Sequence, residues 1–464
     1  MNFKTTAFIL ILILTNAFTG YAQCPTVLST QQEQWLTEAL KRIDEGYRYK
    51  TGSINFIPVK IHLVGNNEGK GYMRVDWALE NLCKLNRDFA PVGMYFYLAA
   101  EINYIDNNDL FQGLPQGVYD VAGSEKAEGM LNIFYTGSAP GWCGVYYFSP
   151  DVVLLQIACA QPGNTTLTHE VGHFFGLPHT FSGWENGRTP PASQQERVDG
   201  TNCRNTADRF CDTKPDYVSF RWGCNFPDSL TDPTGAKFKP DPTLYMNYAG
   251  DNCHSRFSNE QILAMNDNAE FNRGWNFPAV DTLISNTTTL LYPTEGDSSI
   301  NPNVVNLKWQ KVEGAIGYLV QVARVAYWEV LNINQVIWND TVAQVKLFDE
   351  WPYSWRVRAI FPGNVCAPFS QVGNFYTKPL LIGLENNNTL KDLVKIYPNP
   401  VGGSKKFSID LPAAAMISIY SADGRLVLCE KVSAGHHEYA DYASGVYFIQ
   451  IQMGVHTMIE KLIW

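Results

Sequence analysis

Charge of either sign is sparse in this 464-residue chain: Asp, Glu, Lys and Arg make up 17% of it, and the 35 Lys and Arg residues nowhere form a dense block. With a formal net charge of −10, that absence excludes an electrostatic footprint for nucleic acid and leaves acidity as a solubility feature. After the N-terminal segment no apolar run approaches the roughly 20 residues a membrane helix needs, so no transmembrane span is expected. Histidine is scarce too, with eight residues in all. What is present fits a globular chain: 45% of the residues are hydrophobic, and the length suggests about three domains.

Met1-Asn-Phe-Lys4, the apolar stretch Ala7 to Leu14 and the small-residue exit Gly20-Tyr-Ala22 have the three parts of a secretory signal peptide, with cleavage expected after Ala22. Ten cysteines in an exported chain favour disulfides over reactive thiols. Four of them, Cys203, Cys211, Cys224 and Cys253, bracket a long polar stretch that needs cross-links. Cys203 with Cys211 and Cys224 with Cys253 is the expected pairing, one of three open to four cysteines. Cys143 with Cys159 is a further candidate.

Three of the eight histidines stand in one run, Thr168-His-Glu-Val-Gly-His-Phe-Phe-Gly-Leu-Pro-His-Thr-Phe181. Residues four apart on a helix share a face, so His169 and His173 can point at one cation. Gly176 can enter the left-handed region cheaply and turn the chain back, bringing His179 in as a third ligand. Three protein ligands leave a coordination position for water, which is the catalytic rather than the structural arrangement of zinc. Glu170, beside the first ligand, is the general base for that water.

The extended spacing H-E-x-x-H-x-x-G-x-x-H resembles the metzincin metallopeptidases, which carry a methionine turn downstream. In Leu244-Tyr-Met-Asn-Tyr248, Met246 matches the turn methionine, and Tyr248 matches a tyrosine that can hydrogen-bond a developing oxyanion. Within that group the chain resembles the pappalysins and cytophagalysins over roughly residues 54 to 275. The resemblance rests on the histidine run, on Cys211-Asp-Thr-Lys-Pro215, on Tyr245-Met-Asn-Tyr248, and on Cys253 ahead of Phe257-Ser-Asn-Glu-Gln261. It departs at Lys214, inserted in the family's Asp-Thr-Pro element, and at Asn247, where aspartate is common. The resemblance implies calcium as a second cofactor beside zinc. It also implies cleavage before Lys or Arg, for which Asp251 is the nearest pocket acid.

Ahead of the histidine run, Gln31 to Gly46 reads as a helix within a propeptide, 23–53, where Cys24 is a candidate for holding the zinc site latent. Ile54 to Val64 reads as a strand, Val75 to Phe89 as a helix, Tyr95 to Ile105 as a strand, and Leu131 to Tyr135 and Val152 to Ala158 as apolar strands. This alternation predicts an α/β (α+β) metzincin-like domain, 54–277, with a mixed sheet and a zinc helix. Val152 to Ala158, or the strand beside it, is the edge that can pair with substrate backbone. Ser258 and Gln261 form a capping box that opens a late helix.

Two all-β sandwich domains are expected to follow. Over 281–378, Leu307-Lys-Trp309, Val312-Glu-Gly-Ala315, Tyr318 to Val322 and Tyr353 to Ala359 read as strands and resemble a fibronectin type III module with Trp309, Tyr318 and Trp355 in its core. After a linker, 379–392, the segment 393–464 carries Ile396-Tyr-Pro-Asn-Pro400, Ile417 to Gly424, Gly445 to Ile451 and Lys461-Leu-Ile-Trp464. These resemble the C-terminal sorting domain of type IX secretion substrates, which implies the type IX machinery as a partner and export to the surface or exterior of a Bacteroidetes-type bacterium. The expected activity is a secreted zinc endopeptidase acting on proteins or peptides. The alternative is a surface adhesin that binds through the fibronectin-like module, with the peptidase domain as a scaffold.

Overall fold

The computed structural model describes residues 26–48, 54–137, 141–227, 229–274, 277–324, 326–379, 393–403, 405–454 and 456–464. The signal segment 1–22, Cys24 and nearly all of 379–392 lie outside the described residues. Residues up to Thr377 form one compact unit and Lys378–Trp464 a second. The chain is a mixed α/β protein with several sheets and few helices. Among the described residues no helix is long and apolar enough to cross a membrane.

Helix α1, Thr30–Asp44, opens on a capping box: Ser29 Oγ accepts from Gln32 N, and the Gln32 side chain accepts from Ser29 N. Its buried stripe, Leu36, Ala39, Leu40 and Ile43, joins the same core as the sheet and the histidine helix. Arg42 forms a two-pronged ion pair with buried Asp267 on the late helix, at 2.6 and 2.7 Å. The helix inside the expected propeptide is thus built into the core of the first unit.

Strand β1, Asn55–Gly65, is eleven residues long and central. It pairs in parallel with β2, Met94–Leu98, then β3, Asn103–Asp106, on one side and with β4, Leu131–Thr136, on the other. The single strand expected over Tyr95 to Ile105 is therefore two short ones. The ladder breaks where Leu98 N turns to Pro362 O and Ala99 N to Val59 O, a break that apolar periodicity does not register. β6, Val152–Gln156, lies parallel to β4, and β5, Gly144–Tyr147, closes the sheet antiparallel to β6 as its edge. The strand beside the Val152 run is thus the edge, and Thr26 covers it at Tyr146. All six residues of β4 are buried, as expected where both faces of a mainly parallel sheet are covered. α2, Val75–Phe89, packs Val75, Leu79, Leu82, Leu85 and Phe89 inward.

Among the described residues, the stretch from Phe175 to Ser258 holds only a two-residue strand pair and short turns of helix. Disulfides Cys203–Cys211 and Cys224–Cys253 cross-link it, and Cys143–Cys159 ties the residue before β5 to the turn after β6. The late helix, Asn259–Asp267, opens on the Ser258/Gln261 capping box and continues into a wider turn to Asn272.

Later in the first unit, a five-stranded and a three-stranded sheet enclose Trp309, Tyr318, Tyr353, Trp355 and Phe375. The expected strand Val312 to Ala315 is instead a turn closed by Ala315 N donating to Val312 O. It joins the strands Val305–Trp309 and Gly317–Ala323. These sheets are fastened to α2 by the disulfide Cys83–Cys366 and by Arg358 with Glu80 at 2.7 Å. The second unit has a three-stranded and a four-stranded antiparallel sheet around Phe407, Ile409, Ile417, Ile419, Ile449 and Ile451.

Candidate metal centre

The histidine helix spans Thr166–Phe174, and every residue from Leu167 onward is buried. It ends in a Schellman turn: Gly176 sits at φ +86°, Gly176 N donates to His173 O at 2.9 Å, and Leu177 N to Gly172 O at 3.0 Å. Only glycine enters that left-handed conformation without strain. The turn reverses the chain so that His179 faces the side chains of the helix it has just left.

His173 Nε2 lies 3.1 Å from His169 Nε2 and 3.1 Å from His179 Nε2. The other ring nitrogens decide what those contacts are. His169 Nδ1 lies 2.7 Å from Tyr245 O, and His173 Nδ1 2.7 Å from Leu177 O. A carbonyl only accepts, so each Nδ1 carries the proton and each Nε2 presents a bare lone pair. Lone pairs facing at this distance repel unless a cation lies between them. Tetrahedral ligands at about 2.0–2.1 Å from zinc stand about 3.3 Å apart, close to the observed spacing. Burial pushes the His169 imidazole down to about 4, and burial with the neighbouring imidazoles holds His173 and His179 well below their ordinary value. All three stay neutral, the form that ligates metal. Among the described residues they are the group of His, Cys, Asp or Glu side chains close enough to share an ion.

Met246 is fully buried beneath the helix, and Thr180 N donates to its carbonyl at 3.1 Å. The turn that carries it also supplies Tyr245 O to His169, so one short segment orients a ligand and floors the site. The Tyr248 ring lies 5.1 Å from His179 and 6.0 Å from His169, and packs on Phe181. Buried Glu170 and Tyr248 line one pocket that opens at His169.

Asp251 lines this pocket too. Its Oδ1 accepts from Thr165 N at 3.0 Å and Thr165 Oγ1 at 2.7 Å, and its Oδ2 pairs with Arg221. Burial alone would raise the Asp251 carboxyl, but the Thr165 hydrogen bonds and the Arg221 guanidinium hold it below the usual range. His254 bridges Thr165 Oγ1 and Asn247 Oδ1. Sequence reasoning missed Thr165, Arg221 and His254. The signal for Arg221 lies in the Cys224–Cys253 bridge, which sets Trp222 beside Ala249, with Trp222 N donating to Tyr248 O at 3.1 Å.

Two segments of the chain are similar to known protein families. Residues 122–270, which include every residue of the centre, match the family described as pregnancy-associated plasma protein-A, and residues 395–464 match the secretion system C-terminal sorting domain. An extracellular metalloprotease of Colletotrichum graminicola is 28% identical over 239 residues, covering 45% of this chain and 74% of the relative. A second from the same fungus is 24% identical over 300 residues, covering 57% and 96%. One from Verticillium alfalfae is 26% identical over 239 residues, covering 47% and 76%. Among solved structures, the fibronectin(III)-like modules of Clostridium thermocellum CbhA align with 38% of this chain and 90% of theirs at 12% identity, with a TM-score of 0.17, too low to carry an argument. The chain carries a pappalysin-type metallopeptidase domain and a type IX secretion sorting domain, which directs it to the surface or exterior of a Bacteroidetes-type bacterium.

Proposed function

We propose that the chain is an exported zinc endopeptidase in which His169, His173 and His179 hold the metal and Glu170 handles the protons. The observation that carries this reading is the convergence of imidazole nitrogens whose protons are committed elsewhere. When bound, zinc supplies the Lewis acidity that polarises a scissile carbonyl and acidifies a water. Glu170, buried in the pocket wall next to His169, would take a proton from a water held there and return it to the leaving amine. Tyr248, which lines the same pocket, would donate to the oxyanion. The outward backbone groups of Gly144 on β5 offer an extended substrate a partner, since Gly144 lines the same pocket as Glu170, whereas those of Tyr146 are taken by Thr26. Residues 54–277 form the catalytic part, 281–378 a fibronectin type III-like module and 393–464 the sorting domain.

Beyond the helix, Glu196, Asp208 and Asp216 are buried carboxyls, and Glu196 Oε2 and Asp208 Oδ2 have no hydrogen-bond partner, a costly state for a charged group that protonation relieves.

Glu170→Gln tests the mechanism. Proteolysis is expected to fall by about 10²–10⁴ with zinc content unchanged; a variant that digests protein as fast as the parent removes Glu170 from the reaction.

A further inference from the structure

The pocket beside the metal centre has His169 and Glu170 in its wall, so the substrate side chain next to the cleaved bond enters it. Its acid besides Glu170 is already engaged. Asp251 Oδ1 takes two hydrogen bonds from Thr165, and Oδ2 takes the Arg221 guanidinium, which leaves little capacity for a substrate cation. Both ring nitrogens of His254 are likewise engaged, with Thr165 and Asn247. Arg221 is the group with capacity to spare. Its Nη2 meets Asp251, while among the described residues Nε and Nη1 make no hydrogen bond, and its side chain is 33% exposed. A lysine or arginine of the substrate would meet this guanidinium as a like charge; a carboxylate or amide oxygen would meet free donors fixed in a planar fork.

We infer that Arg221 sets the specificity of this pocket, and that the enzyme accepts an acceptor-bearing side chain, Glu or Gln, directly after the cut in place of Lys or Arg. This rests on the peptidase reading above and names the substrate class of that site. Thr165 and the Cys224–Cys253 bridge act as positioning elements, holding Asp251 and the Arg221 segment in register.

The test is kcat/KM on internally quenched peptides that differ only in the residue after the cut, Glu, Gln, Leu, Lys or Arg, using the mature zinc-loaded protein. Glu and Gln are expected to exceed Lys and Arg by about tenfold or more. Arg221→Gln, which frees Asp251, should reverse the order toward Lys and Arg. Asp251→Asn, which leaves Arg221 unopposed, should widen the preference for Glu, so the inference stays testable if either variant fails to fold. Parent enzyme that prefers Lys or Arg overturns the inference and leaves the peptidase reading standing. So does a preference for Glu that Arg221→Gln does not change. If cleavage requires a free peptide C-terminus and is lost on amidation, the acceptor is a terminal carboxylate and the side-chain assignment falls. Failure to cut any peptide or protein would instead sink the peptidase reading itself.

Discussion

Gly172 is the position where one added methyl group reports on what lies beneath the histidine helix. A Cβ there would stand 2.4 Å from Met246 Sδ and 3.2 Å from Met246 Cε. Met246 is fully buried, so its sulfur cannot swing into solvent. Glycine to alanine inside a helix ordinarily stabilises by about 1 kcal/mol. Forcing a methyl into a filled core costs about 1–3 kcal/mol. The clash outweighs the propensity gain, and Gly172→Ala is expected to destabilise by up to about 2 kcal/mol. Truncating the obstacle reverses the sign. In a Met246→Ala background, itself about 2–5 kcal/mol less stable, the same change should stabilise by about 1 kcal/mol. The two positions are thus expected to couple strongly in a double-mutant cycle. Calorimetric melting of the four proteins, all carrying Glu170→Gln to suppress self-digestion, measures the cycle. Equal destabilisation by Gly172→Ala in both backgrounds would refute a methionine seated under the helix.

Cys83→Ser with Cys366→Ser removes a bridge spanning 283 residues; melting should show the first unit weakened by about 2–5 kcal/mol while peptide cleavage at low temperature persists. Burial and the charges of Asp208 and Asp216 push the Glu196 carboxyl up to about 9, and burial raises Asp216 to about 6. Both folded values lie above the ordinary 4.5 and 3.8, so their contribution is complete at acid pH and is lost as pH climbs toward 6 and then 9. The melting temperature should therefore fall between about pH 5 and about pH 8, and one that rises over that interval would count against buried, protonated carboxyls at these positions. Leu40→Ala in α1 should destabilise by about 2–5 kcal/mol because the side chain is 2% exposed in the shared core; a melting temperature within a degree or so of the parent would mean that α1 is dispensable to the fold.

Much of the centre is legible in the sequence because its geometry is local. His169 and His173 are one helical turn apart, and Gly176 at φ +86° is the turn that its residue type announces. The capping box at Ser258 and the inward face of α2 are equally local. What escapes is set by long-range contact. Arg221 meets Asp251 across a long polar stretch, and the expected Cys224–Cys253 pairing brings their segments together without naming either residue. The Cys83–Cys366 bond joins segments that sequence reading assigns to separate domains. The break between Leu98 and Asn103 is invisible because buried apolar residues continue through it at Leu98, Ile102 and Ile105, although β2 and β3 face different clusters. Gln32, whose Nε2 donates to His173 O at 3.3 Å, shows the same point from the other end of the chain.

Metal analysis of the purified mature protein, paired with proteolysis before and after chelation, tests the central claim most directly. One zinc per chain is expected, with activity lost on chelation, restored by zinc, and both metal and activity lost in His173→Ala. Metal-free protein that still hydrolyses its substrate at the full rate would contradict the account.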